Sequence, residues 1–350
     1  MRTPGLWIAG LGTHLPPVVS ARQAVARGWY DARTAEESGW TGATVAGELP
    51  APEMAALAAE AALKRSGHPP GDVAVLLHAS TMAQGPDAWP PQSYVQRRTV
   101  GGDAPALEVR QACNGMLAAM ELAARWLTVD DRPAALVTGA DNFGLPLIDR
   151  WRYAEGAGTN RLSILGDAGA AVVLSRHGGF ARLLAVGSMS VPALEEMYRG
   201  GVPLFPPEQS LGLPVRIGER LRRHRESDPE ASAAARRALD GARLAIGTRT
   251  LAEAGVTADR ITRATHVFSG GVAYLESVLG PLGIDASRGL LEFGRTTGHL
   301  ATCDHVVGLE HLLTTGAIGP GDHVLMMSNG GASLACAVVE IVSRPDWARP

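Results

Sequence analysis

The sequence predicts a layered α/β fold assembled from two similar halves. Short apolar runs recur along the chain, too uniformly apolar for strands with one wet face, and they alternate with longer stretches of helical period. Corresponding run ends in the two halves also stand at one common spacing, Ser80 with Ser269 and Gly139 with Ser328.

Taken in chain order, residues 52–66 read as a helix and residues 73–80 (VAVLLHAS) as a buried strand. Residues 107–115 read as a strand running through a tight turn into a second helix, 114–127. In that helix Met116, Met120, Ala123 and Leu127 recur every three to four residues, which leaves one stripe to bury. Residues 134–138 (AALVT) and 170–175 (AAVVLS) give two more buried strands. The RHGG turn at 176–179 then divides the chain into halves 1–178 and 179–350. Residues 194–225 are irregular and proline-bearing, as expected of an excursion over the entrance to a site. Beyond them the plan repeats: a strand ending in THVFS (265–269), a turn-rich stretch, a helix, and a strand ending in VLMMSNG (324–330).

A chain of 350 residues with 46% hydrophobic and 19% charged residues has the composition of a globular protein with a large core. Its net charge of -3 provides no broad field for nucleic acid or anionic lipid, so neither is expected as a partner. The N-terminal residues lack a continuous signal-peptide core, and no apolar run approaches the roughly 18 residues a membrane span requires, so a cytoplasmic location is expected. Cys113, Cys303 and Cys336 are sparse, odd in number and without CxxC spacing, which argues against a disulfide framework and against a metal site. Lys64 is the only lysine, a pattern that points to coding bias more than to chemistry.

Cys113 stands at the turn from strand to helix. The free N–H groups and dipole of a helix start favour a thiolate, which makes a cysteine at such a position a candidate nucleophile. The same N–H groups can hold the oxyanion formed when a thioester is attacked, and Gly115 is expected to let an acyl chain and the backbone approach closely. An inert core cysteine is the competing reading. The basic run Arg216, Arg220, Arg222, Arg223 and Arg225 reads either as a phosphate-binding patch or as a solvated helix face. Trp89, Pro90, Pro91, Gln92 and Tyr94 are candidates for an acyl pocket, a dimer edge or plain packing. Residues 143–153 are candidates for a loop reaching a partner's site.

Three segments, Glu108 to Gly115, Leu165-Gly166-Asp167-Ala168-Gly169-Ala170-Ala171, and Ser328-Asn329-Gly330-Gly331-Ala332, resemble in order and spacing the signatures of the β-ketoacyl-ACP synthase III family. The likeness runs from the opening residues 8–16 to the closing strand 335–342. It implies a thiolase-like five-layered αβαβα fold of two duplicated halves, a homodimer, and an acyl-enzyme on Cys113. It further implies acyl donors carried as thioesters on coenzyme A or on the phosphopantetheine of an acyl carrier protein, with no permanently bound cofactor. By the family pattern Gly330 resembles the second oxyanion donor beside the N–H of Cys113, while the Gly166-Asp167 pair reads as structural, its carboxylate capping a turn.

The departures from the pattern narrow the function. Where the family's condensing enzymes carry a His-Gln-Ala-Asn motif, this chain reads Phe268-Ser269-Gly270-Gly271, and His266 two residues earlier is expected to be a packed strand residue. Where Gly-Asn-Thr-Ser is usual, it reads Gly298-His299-Leu300-Ala301, followed by Thr302, Cys303, Asp304 and His305. This resembles the divergent acyltransferase and starter-unit branch of the family, which uses a nucleophile-His-Asp triad, here Cys113, His299 and Asp304. A cap for His299 and a surface position for Asp304 are the alternatives, and Cys303 is expected to be a small packing residue rather than a second thiol near the site. Five residues on a continuous helix lie about 140° apart, so a triad requires His299 before the helix and Asp304 within its first turn. Loss of the His/Asn pair removes donors that would stabilise an enolate. Transfer of an acyl group to a hydroxyl, amine or thiol of a small-molecule or carrier acceptor, in polyketide-type biosynthesis, is therefore the expected reaction. The alternatives are decarboxylative Claisen condensation and a non-catalytic ketosynthase-like subunit.

Overall fold

A computed structural model describes residues 1–155, 157 and 163–348. Eleven strands lie among them: β1 (Trp7–His14), β2 (Val18–Ser20), β3 (Gly42–Thr44), β4 (Val73–Ala79), β5 (Ala106–Val109), β6 (Ala134–Asp141), β7 (Ala168–Ser175), β8 (Ala181–Ser190), β9 (Ile261–His266), β10 (His323–Gly330) and β11 (Ser333–Ile341). Strands β2 and β3 form a small ribbon, and the other nine run in the order β5-β4-β6-β7-β1-β8-β11-β10-β9.

That order is a mirror. Outward from the central β1–β8 pair, one side runs β7, β6, β4 and the other β11, β10, β9. The pairings match step for step. β1–β7 and β8–β11 are antiparallel, β6–β7 and β10–β11 are antiparallel, and β4–β6 and β9–β10 are parallel. Only β5, parallel to β4, has no counterpart among the described strands. The β1–β8 register involves just Trp7 with Arg182 and Ile8 with Ala181, so the sheet behaves as two half-sheets hinged at one short contact.

Between the half-sheets lie two helices, Gly115–Trp126 and Asp304–Thr314, whose apolar faces share one core with the inner sides of the strands. The expected stripe is the buried one: Met116, Met120, Ala123 and Leu127 are all enclosed. Helix Ala51–Ser66 covers the outer side of β1, β6 and β7, and helix Pro229–Ala254 covers the outer side of β8 and β11. The result is five layers, αβαβα. Strands covered on both faces have no wet side, which is why β4, β6 and β7 are buried at every position.

Residues 194–225 are more ordered than expected. They hold helix Leu194–Arg199, a 3-10 turn at Glu208–Leu211 and the start of helix Ile217–Ser227. The first helix stops where Gly200 turns left-handed (φ 57), and the prolines at 203, 206, 207 and 214 interrupt the chain until the next helix begins. No helix among the described residues is long and apolar enough to cross a membrane.

Candidate active site

Both central helices begin in the same unusual way. A 3-10 turn precedes each, Ala112–Asn114 and Ala301–Cys303, and the first residue of each turn is left-handed, Ala112 at φ 47 and Ala301 at φ 50. Alanine occupies this region at a cost, and such strain persists where the surroundings impose it. Cys113 follows the first of these alanines. Ser328 Oγ donates to the Cys113 carbonyl at 3.1 Å, and Asn114 Nδ2 donates to the carbonyls of Ser333 (2.7 Å) and Gly330 (3.2 Å). The Cys113 turn is thereby pinned to the β10–β11 end.

Gly330 lies against that turn. A β-carbon there would sit 2.7 Å from the Cys113 nitrogen and 3.1 Å from its Cβ, so any side chain at this position forces the Cys113 turn to shift. Gly115 has a different part from the one expected. A β-carbon on it would meet Ala79 Cβ at 2.9 Å and Thr302 Cγ2 at 3.0 Å, so its bareness serves the packing of the two helix starts and not the passage of an acyl chain.

His299 and Asp304 meet as the required geometry demands. His299 precedes the second helix and Asp304 is its first residue. Asp304 Oδ1 accepts from the Leu300 N–H at 2.8 Å, curling the chain back, while Oδ2 accepts from the Phe268 N–H at 3.0 Å and from His299 Nδ1 at 2.7 Å. The other imidazole nitrogen, Nε2, lies 3.0 Å from Cys113 Sγ. The backbone of His299 is fixed on both sides by residues 164–166: its N–H donates to the Ile164 carbonyl (2.8 Å) and its carbonyl accepts from the Gly166 N–H (3.0 Å). Asp167 itself is structural, accepting from the Phe143 and Ala46 N–H groups (2.7 and 2.8 Å) and from both Arg150 terminal nitrogens (2.9 and 3.0 Å).

Electrostatically, burial disfavours a charged His299, but the charges of Cys113 and Asp304 and their hydrogen bonds outweigh it and hold the imidazolium well above its usual range. His266, by contrast, is spent on structure: Nδ1 bonds the Val267 carbonyl (2.8 Å), Nε2 accepts from Leu290 N–H (3.0 Å), and burial lowers its pKa. Phe268 packs edge-on between His266 and Phe293. Cys303 is buried with its thiol toward the Gly139 carbonyl at 3.3 Å, and burial pushes its pKa far up; the buried Cys336 thiol is pushed up to about 12.

A cavity of about 250 Å³ opens onto Cys113 and His299. Phe143 and Tyr153 line it, in the site of their own chain, as do Tyr198, Ile217 and Leu221 from the proline-bearing excursion. Trp89 and Pro91 do not; they line a separate depression with Glu108, Arg110 and residues 145–148. Of the basic run, Arg216, Arg220 and Arg222 are paired with Glu219, Glu208 and Glu226, as on a solvated helix face. The cavity also holds Arg243 and Tyr274, which the sequence reading passed over, and Asn329, which it named only within the glycine-rich signature. A signal existed for Arg243: with Leu239, Ala242, Ile246 and Thr250 it falls on the buried face of its helix, where an arginine is out of place.

Comparison with known proteins places the chain in a family. The 3-oxoacyl-[acyl-carrier-protein] synthase III profile matches residues 107–190, and the profile of that enzyme's C-terminal part matches residues 251–341. Among solved structures, ChlB3, described as an acyltransferase, is 43% identical over 98% of this chain and 99% of its own, with a TM-score of 0.89. The 3-oxoacyl-[acyl-carrier-protein] synthase III of Aquifex aeolicus VF5 is 19% identical over 96% of this chain and 99% of its own, TM-score 0.74. The priming β-ketosynthase of the R1128 polyketide pathway is 16% identical over 97% of each chain, TM-score 0.71; these two share the fold. No curated protein sequence matches the chain. With a profile match in each half and a relative this similar along its whole length, the chain belongs to the thiolase-like 3-oxoacyl-[acyl-carrier-protein] synthase III family.

Proposed function

We propose that this member of the family is an acyltransferase that moves an acyl group from a coenzyme A or acyl-carrier-protein thioester, through Cys113, to a hydroxyl, amine or thiol acceptor. The observation that carries the reading is the hydrogen-bonded line from Cys113 Sγ to His299 Nε2 and from His299 Nδ1 to Asp304, with Phe268 standing where a condensing enzyme would place a second donor.

In the first half-reaction the Cys113 thiolate attacks the donor's carbonyl carbon, the donor C–S bond breaks, and the leaving sulfur takes the proton from His299. In the second, the acceptor's proton passes to His299 Nε2, its heteroatom attacks the acyl carbon, and the bond to Cys113 breaks. The Cys113 and Gly330 N–H groups are the proposed oxyanion donors in both steps. Acylation removes the Cys113 contribution to the raised His299 pKa and leaves Asp304 to raise it and burial to lower it, so the imidazole gives up its proton more readily when the acceptor needs a base. Condensation would instead require donors for an enolate oxygen, and Phe268 offers no side-chain donor. The similarity to ChlB3 favours transfer, and a place in polyketide-type biosynthesis is part of this proposal.

Mass spectrometry of the intact protein after incubation with acyl-coenzyme A tests the reading. One acyl group on Cys113, absent in Cys113→Ala, is expected; undiminished labelling of that variant refutes it.

A further inference from the structure

Arg243 presents a charge that the proposed chemistry does not use. It is 7% exposed, projects from helix Pro229–Ala254 and lines the same cavity as Cys113. A guanidinium carries five N–H donors, and burying it is costly unless they are met by acceptors and its charge by an anion. Here Nη1 reaches Asp240 Oδ1 at 3.1 Å, a carboxylate whose side chain is 67% exposed and so shares its charge with solvent. Nη2 reaches the neutral Asn329 Oδ1 at 3.3 Å, which also accepts from Tyr274 O–H at 3.1 Å. Nε is buried without a partner among the described residues. The cavity wall thus carries a guanidinium whose ion-pair partner is largely solvated and whose Nε is unmet among the described residues, and Asn329 joins it directly to Gly330 beside Cys113.

We infer that Arg243 is a specificity residue that binds an acidic oxygen group, a carboxylate or phenolate, on the molecule that fills this cavity. The inference rests on the acyl-transfer reading for the site but concerns recognition, not chemistry. The acid can belong to the far end of the transferred acyl group or to the acceptor, and the two are separable by experiment. A charge-assisted, two-pronged contact of this kind discriminates by about tenfold to a hundredfold.

The donor arm compares the rates at which succinyl-CoA and butyryl-CoA, equal in chain length, acylate Cys113 in the wild type and in Arg243→Met. The acceptor arm compares 4-(hydroxymethyl)benzoate with its methyl ester as acceptors for butyryl-loaded enzyme, separating KM from kcat. A wild-type preference for the acid in one arm, lost in Arg243→Met through KM or the acylation rate with the neutral partner unchanged, supports the inference and names the source. Unchanged ratios in both arms, in a variant that melts as a folded protein, overturn it. Should Arg243→Met not fold, Arg243→Lys keeps the charge but loses the fork and is expected to shift the ratio severalfold; an unaltered ratio overturns the inference equally. Should the wild type never acylate, the acyl-enzyme reading fails by itself. Calorimetric binding of the same two pairs to wild type and variant then decides whether Arg243 selects acids.

Discussion

At the scale of single residues, the proposed reaction gives His299 two tasks, proton donor to the leaving sulfur and base for the acceptor. Its pKa is raised by Cys113 and Asp304 together, and acylation removes the Cys113 share, which lowers it for the second task. Single-turnover rates should therefore diverge with pH. Acylation is expected to stay nearly flat across about pH 6 to 8, while deacylation falls as pH drops, because acid protonates the base that the acceptor needs. Parallel profiles for the two half-reactions would count against this division of labour. His299→Ala is expected to lose about 10² to 10⁴ in acceptor-dependent turnover, and Asp304→Asn to weaken His299 by allowing the wrong tautomer. His266→Ala should lower the melting temperature and leave turnover per folded molecule nearly intact, since both its ring nitrogens serve the backbone. A dead but well-folded His266→Ala would reassign the base.

At the scale of elements, the site is made where two helix starts and one strand end converge. The left-handed Ala112 and Ala301 occupy equivalent places in the repeat, one before the nucleophile and one between His299 and Asp304, so the same kink aims different side chains in each half. Replacing Ala301 with glycine should be neutral or slightly stabilising, and replacing it with valine should destabilise by roughly 1 to 3 kcal/mol, because a β-branched residue tolerates this backbone poorly. Thermal melting of the two variants checks the sign. Gly330→Ala should fold but acylate on the order of 10²-fold more slowly, as the new methyl presses the Cys113 N–H out of position. The helix stripe and the buried strands were legible from period, which depends on neighbours in the chain, whereas the placement of His299 before a helix and Asp304 within it was only a condition set by the triad that the resemblance implied. The role of Gly115 was not legible, because the atoms that exclude a side chain there belong to Ala79 and Thr302, remote in sequence.

At the scale of the molecule, the mirrored strand order leaves β5 without a counterpart among the described strands, at one end of the nine-stranded sheet, with Leu107 half exposed on an edge that no described strand covers. Such an edge invites pairing with another chain, and a homodimer joined there is the expected state; a monomer at micromolar concentration in light scattering would exclude it. By itself, the sequence determined the layered class of the fold and the place of Cys113 at a strand-to-helix turn, and, set beside the family it resembles, Phe268 and His299 where a histidine and an asparagine are usual. These are matters of residue type, period and order. Only the tertiary structure decided that Cys113 and His299, 186 positions apart, lie within a hydrogen bond, that Trp89 and Pro91 face a different depression, and that Arg243 enters the cavity. Those outcomes depend on how two half-sheets close on a shared pair of helices, and a side chain's direction across that closure is set by packing between distant segments, which no local pattern encodes.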